Sequence, residues 1–76
     1  MKATASIDDW SYDPVFNVIW GYIKGDVKKR FSDGTYIHTS NLMTSGPFFK
    51  GKVVRTLNSF YILNEPSEIK KGQALV

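Results

Sequence analysis

KKRFSDGTYIHTSNLM, residues 28–43, reads as a β-hairpin. Asp33-Gly34 supplies the turn, because glycine reaches the positive φ that such turns need. The first arm, 27–31, is polar and short. The second, 36–43, alternates: Ile37 and Thr39 face one way, Tyr36 and His38 the other. His38 is the sole histidine and stands beside Thr39, Ser40 and Asn41. Ser40-Asn41 interrupts the alternation, and Leu42-Met43 continue past a bend.

Upstream, VFNVIWGYIK at 15–24 is the strongest strand. Phe16, Val18, Trp20 and Tyr22 share one face, and Val15, Asn17, Ile19, Gly21 and Ile23 share the other. Both faces are largely apolar, so the strand is expected to be central or covered on both sides. Gly21 within it predicts a bulge, a sharp bend or a close backbone approach. Residues 1–14 form an entry segment, expected as a loop or a single turn that lays Ile7, Trp10 and Tyr12 onto the core. Trp10 and Tyr12 are read as a hydrophobic plug rather than a ligand-stacking platform, since large aromatics in small domains usually supply buried area.

Downstream, Gly46-Pro47 breaks the chain into a loop over 44–51. It carries the pair Phe48-Phe49, of which at least one is expected to be buried. Residues 52–64 read as a second hairpin, with strands 52–57 and 60–64 and Asn58-Ser59 as its turn. Residues 65–76 are expected to be a frayed tail. The core is expected to contain Val18, Trp20, Ile37, Val53, Leu57 and Ile62.

The 76 residues make one domain, comprising the entry segment, a β core at 15–64 and the tail. Its size is near the limit at which a single core suffices, and an aromatic content of 14% compensates. With no cysteine there is no disulfide framework and no thiolate chemistry. Self-association is then the remaining way to bury more surface. The N-terminus carries no apolar targeting run and no segment is long enough to span a membrane, so the cytoplasm is the expected location. No helical periodicity is sustained over ten residues. About five short strands with regular turn signals predict an all-β fold. Its expected form is a small five-stranded SH3-like or OB-like barrel, or a strongly bent antiparallel sheet, in which a closing meander removes the open edges.

Three segments, DWSYDPVFNVIWGYIKGD, RFSDGTYIHTSNL and VVRTLNSFYIL, carry a strand, a Phe-x-Asp-Gly turn, a Thr-Ser step and a late Thr-x-Asn-Ser hairpin. In this pattern the chain resembles short uncharacterised bacterial proteins of prophages and other mobile elements. The likeness runs from Asp9 to Leu63, and the chain departs from it by a longer insert around Gly46 to Lys50. The resemblance implies no activity and carries over no functional residues.

The residues themselves argue against an enzyme. One histidine would have to serve any Ser-His-Asp arrangement, and no spacing favours Ser40, Ser59, Asp26 or Asp33 as its partners. A His flanked by Thr on a hairpin reads as a half-exposed cross-strand partner. Neither zinc nor calcium spacing is present, no glycine-rich phosphate loop exists, and no cofactor is expected. Asp8, Asp9 and Asp13 cluster before the first strand, but the adjacent pair diverges, which opposes an acid–base role.

The net charge is +3, and seven basic side chains against two acids lie between Lys24 and Arg55. Interleaved aromatics give a composition akin to single-stranded nucleic-acid-binding barrels, without their motifs. The expectation is a non-catalytic binding module, an accessory protein of a mobile element, with a protein partner or a second copy bound. A nucleic-acid-binding barrel is the alternative. The expected contact residues are Lys28, Lys29, Arg30, Tyr36 and His38, with Phe48 and Phe49.

Overall fold

Backbone pairing joins five short strands into one mixed sheet. The computed structural model describes residues 3–67. The strands are β1 (Ala5–Asp13), β2 (Val18–Lys24), β3 (Tyr36–His38), β4 (Val53–Arg55) and β5 (Phe60–Leu63). Their order is β3-β2-β1-β5-β4. The fold is all-β, as the alternation predicts.

The order departs from a meander. β1 is the middle strand, antiparallel to β2 and parallel to β5, with Ala5 opposite Tyr61 and Ile7 opposite Leu63. The entry segment, expected as a loop or single turn, is therefore the longest strand of the sheet. Its carboxylates lower local strand propensity, but a strand paired on both sides takes its conformation from its neighbours. The ladder continues beyond the strands: Trp10 bridges Pro66, and the Ser67 N–H donates to the Trp10 carbonyl at 2.7 Å. The remainder of the expected tail, 68–76, lies outside the described residues.

A bulge in β1 sets which side chains face the core. Asp8 pairs with Tyr22 and Ser11 with Trp20, so Asp9 and Trp10 together oppose Gly21. Asp9 takes a φ of +54° to make room for the extra residue. Alternation alone would turn Trp10 outward. The inserted residue restores it to the side of Ala5 and Ile7, where it is buried. Gly21 is needed on the facing strand: a Cβ there would lie 2.4 Å from Ile7 Cγ2 and 2.9 Å from the Asp8 carbonyl oxygen. Of the bulge, sharp bend or close approach expected at this glycine, the close approach is present, opposite a bulge in β1.

The core comprises Ala5, Ile7, Trp10, Ile19, Ile23, Ile37, Leu42, Val54, Tyr61 and Leu63, with Tyr12 and Phe48 packed against it. Of the expected core, Val18 and Ile37 are buried. Trp20 and Ile62 are half-buried, while Val53 is 43% and Leu57 73% exposed. Val54, Tyr61 and Leu63 take the inward positions instead. The cause is register. Arg55 pairs with Phe60, and Thr56 donates to Ser59, so the turn is Leu57-Asn58 and not Asn58-Ser59. In a period-2 element, a shift of one residue exchanges the two faces.

The first hairpin is also rearranged. β3 pairs with β2, Tyr22 against Tyr36 and Trp20 against His38, so residues 27–31 form no arm. The buried Asp26 carboxylate accepts the N–H groups of Lys28, Arg30 and Phe31 at 3.1, 2.9 and 3.3 Å, winding that segment into turns. Gly34 has a φ of +87°, as its place in a turn requires, and its N–H donates to the Ile23 carbonyl at 2.7 Å. β2 begins at Val18 rather than residue 15. Asp13 accepts from the Val15 and Phe16 N–H groups at 2.9 and 3.3 Å, which turns that stretch before the strand starts.

Candidate functional site: an aromatic face on β2 and β3

β2 is two-sided. Ile19, Gly21 and Ile23 face the core, so Trp20 and Tyr22 face outward. In β3, Ile37 faces the core and Tyr36 and His38 face outward. Because the two strands are paired in register, these four rings meet. The Trp20 ring centroid lies 4.7 Å from that of His38 and 5.8 Å from that of Tyr36, the latter stacked. Tyr22 and Tyr36 are 4.8 Å apart. Tyr22 remains 40% and Tyr36 53% exposed, so the cluster presents ring surface to solvent.

The rings are fixed from behind and from the side. The Ile19 N–H donates to the buried Thr39 hydroxyl oxygen at 3.1 Å, and the Thr39 N–H donates to the Ile19 carbonyl at 2.9 Å, locking the end of the β2–β3 pair. His38 Nδ1 lies 3.0 Å from the Thr39 carbonyl oxygen, an acceptor to which it can only donate. The Trp20 indole N–H donates to Asp13 Oδ2 at 3.2 Å. Desolvation opposes the charge on Asp13, but the bonds from Trp20, Phe16 and Val15 outweigh it and hold its carboxyl below the usual carboxylate range. The Tyr36 hydroxyl is pushed up by burial first, then by Tyr22 and the Asp9 carboxylate.

The expected contact residues fall into three places. Tyr36 and His38 belong to the ring cluster. Lys28, Lys29 and Arg30 lie together on the 26–34 loop, where two of the three charges are engaged internally. Lys28 Nζ donates to the Asn58 carbonyl at 2.7 Å, tying the loop to the β4–β5 turn. Arg30 grips Asp26 through Nε and Nη2 at 3.1 and 3.2 Å, and its Nη2 also reaches the Tyr61 hydroxyl at 3.3 Å. Desolvation works against the Asp26 charge. Bonds from the Arg30 side chain and from the backbone N–H groups of Arg30 and Lys28 prevail and lower its pKa.

Phe48 and Phe49 form the third place. Phe48 packs on Tyr12 at 4.5 Å and is half-buried, whereas Phe49 is 54% exposed. Lys52 Nζ stands 5.2 and 5.4 Å from their ring centroids. Among the described residues, no ring contact or hydrogen bond joins one of these three places to another.

Trp20 and Tyr22 are the members of the face that the expected contact set lacks. The signal was in the sequence: both alternate with Ile19, Gly21 and Ile23. The apolar composition of both faces of 15–24 hides it: the strand is expected to be central or covered on both sides, and β2 is an inner strand that leaves Tyr22 exposed. Among the described residues, no three of His, Asp and Glu gather to hold a metal ion, and no helix is long and apolar enough to cross a membrane. No family model matches this chain, and comparison with curated proteins and with solved structures gives no match.

Proposed function

We propose that the chain is a non-catalytic binding module that takes a protein partner on the outer face of β2 and β3, and that it serves as an accessory protein of a mobile element. The observation that carries the binding role is the contact of Trp20, Tyr22, Tyr36 and His38 as four adjoining rings on an exposed sheet face. Tyrosine and tryptophan dominate the energetics of protein interfaces, because they bury large rigid areas at little cost in side-chain entropy. The hydrogen bond from His38 to a backbone carbonyl, rather than to a carboxylate, fits a packing role better than that of a catalytic base. The engagement of Lys28 and Arg30 by groups of the same chain weighs against a nucleic-acid interface on the 26–34 loop.

We read the sheet as bent toward an SH3-like or OB-like barrel. Support comes from the segments that follow β3 and β4. Leu42 bridges Thr56 there, and the Met43 N–H donates to the Arg55 carbonyl at 2.7 Å, drawing the two edges together.

Selection of random peptides displayed on phage, run on the wild type and on Tyr22→Ser/Tyr36→Ser, tests the reading. Peptides enriched on the wild type should lose at least about tenfold in affinity on the double variant, as expected for two interface tyrosines. Enrichment that ignores the double variant would overturn it. Oligothymidine binding that weakens steeply with salt would favour the nucleic-acid alternative.

A further inference from the structure

We propose that the ring cluster receives an arginine side chain of the partner, its guanidinium lying against the Trp20 and Tyr36 rings with the Asp9 carboxylate as counter-charge. The inference rests on the reading of this face as a protein-binding surface and adds the chemistry of what it takes.

The charge around the rings is opposite to that of the whole chain. β1 runs beside β2, and its outward residues in register with the ring-bearing segment are Asp8 opposite Tyr22, Ser11 opposite Trp20 and Asp13 opposite Val18. The bulge adds Asp9, exposed and held by its positive φ. Three carboxylates thus border the aromatic surface. Among the described residues, one cation answers them: Lys24 Nζ lies 3.1 Å from Asp8 Oδ2. Among the described residues, no cation pairs with Asp9. A chain of net charge +3 therefore turns an acidic, aromatic face outward, and charge complementarity selects a cationic partner group there.

The rings suit a cation for a second reason. A positive group is drawn to the electron-rich face of an aromatic ring, most strongly to that of tryptophan. The Trp20 indole N–H donates to the ionised Asp13. This bond pushes electron density into the indole and strengthens that attraction. Between the two cationic side chains, arginine fits better. Its planar guanidinium stacks on rings and still presents N–H groups at its edge to a carboxylate, while lysine offers a compact, strongly hydrated charge. Tyr36, 53% exposed and nearly parallel to the Trp20 ring, offers the flat surface that such a plane needs.

The test uses the full chain, labelled with ¹⁵N, and three peptides: acetyl-Gly-Arg-Gly-Arg-Gly-amide and its counterparts with citrulline or glutamate in place of arginine. Citrulline keeps the shape and removes the charge. The Arg peptide should shift the Trp20 indole N–H and the Tyr22 and Tyr36 amides, and bind about fivefold or more tighter than the citrulline peptide. Asp9→Asn should weaken the Arg peptide by a similar factor and leave citrulline binding unchanged. Asparagine tolerates the left-handed backbone at that position, so the variant retains the fold. Asp13 stays intact in this test because it also holds the turn before β2.

Equal binding of the Arg and citrulline peptides would overturn the inference, as would an Asp9→Asn variant that binds the Arg peptide as the wild type does. So would an Arg peptide that shifts no resonance of the ring cluster. In each case the peptides selected by display decide separately whether the face binds a protein at all. Selected peptides that need Tyr22 and Tyr36 but carry no arginine would retain the binding surface and remove only its cationic ligand.

Discussion

Trp10 and Trp20 sit in neighbouring strands on opposite sides of the same sheet, and one residue type does two different jobs. Trp10 is buried among Ile7, Ile19 and Leu63, and its indole N–H donates to the Asn64 carbonyl at 2.8 Å. Trp20 lies on the outer face among Tyr36 and His38, and its indole N–H donates to a carboxylate. The inner ring finds a backbone acceptor that holds β1 to the chain after β5. The outer ring finds an acidic side chain that orients it beside Tyr36 and His38. Aromatic content therefore does not identify the core of a small sheet; the side of the strand does.

The contrast breaks most sharply under truncation. Trp10→Ala should cost about 3–5 kcal/mol, through lost transfer energy and the cavity left behind. Trp20→Ala, which removes a half-buried ring, should cost about 1–2 kcal/mol. Urea unfolding of the two variants at neutral pH measures the difference. Equal losses would mean that the outer cluster is as much a core as the inner one.

A finer probe is the glycine that separates the two faces. Gly21→Ala drives a Cβ against Ile7 and the Asp8 and Trp10 backbone, and should destabilise by about 2–3 kcal/mol. Its amide spectrum should change at Asp8 to Ser11 more than along β3. A neutral result would mean that the bulge gives way without disturbing Trp10.

The smallest expected effect is that of acid. Asp26, beneath the 26–34 loop, and Asp13, beside Trp20, both hold their folded carboxyl pKa below the ordinary value. Each therefore binds fewer protons folded than unfolded. The stability they contribute is in place above the unfolded value near 4, and is lost as pH falls through the folded values. Urea midpoints measured between about pH 7 and pH 2 should fall below about pH 4. Asp26→Asn should be less stable at neutral pH and should flatten that fall. An unchanged slope in Asp26→Asn would leave Asp13, and with it the outer face, as the acid-sensitive region.

The hairpin reading of 28–43 captured β3 and the glycine turn but paired β3 with the wrong segment. Residues 27–31 carry strand-compatible side chains, yet the Asp26 carboxylate takes the N–H groups of Lys28, Arg30 and Phe31, the Asp26 carbonyl takes that of Lys29, and the Val27 N–H goes to the Thr4 carbonyl, so none pairs with β3. The ring cluster was half legible. Tyr36 and His38 stood out on a short exposed strand, whereas Trp20 and Tyr22 stood in an apolar run whose two faces look alike in composition. Their exposure follows from the layer of cover: the core lies on the side of Ile19 and Ile23, and the sheet has one such side.

By itself, the sequence determined that this chain is all-β, that Gly34 turns with positive φ, and that Gly21 marks a bulge, a bend or a close approach. Each follows from a local cause: a two-residue period or a missing Cβ. Only the tertiary structure decided that β1 is the middle strand, that Val54 rather than Val53 faces the core, and that three carboxylates border the aromatic face. Strand order, register and the side a residue presents depend on partners distant in the chain. Asp8 meets Tyr22 only because a bulge of one residue in β1 is matched against one glycine in β2.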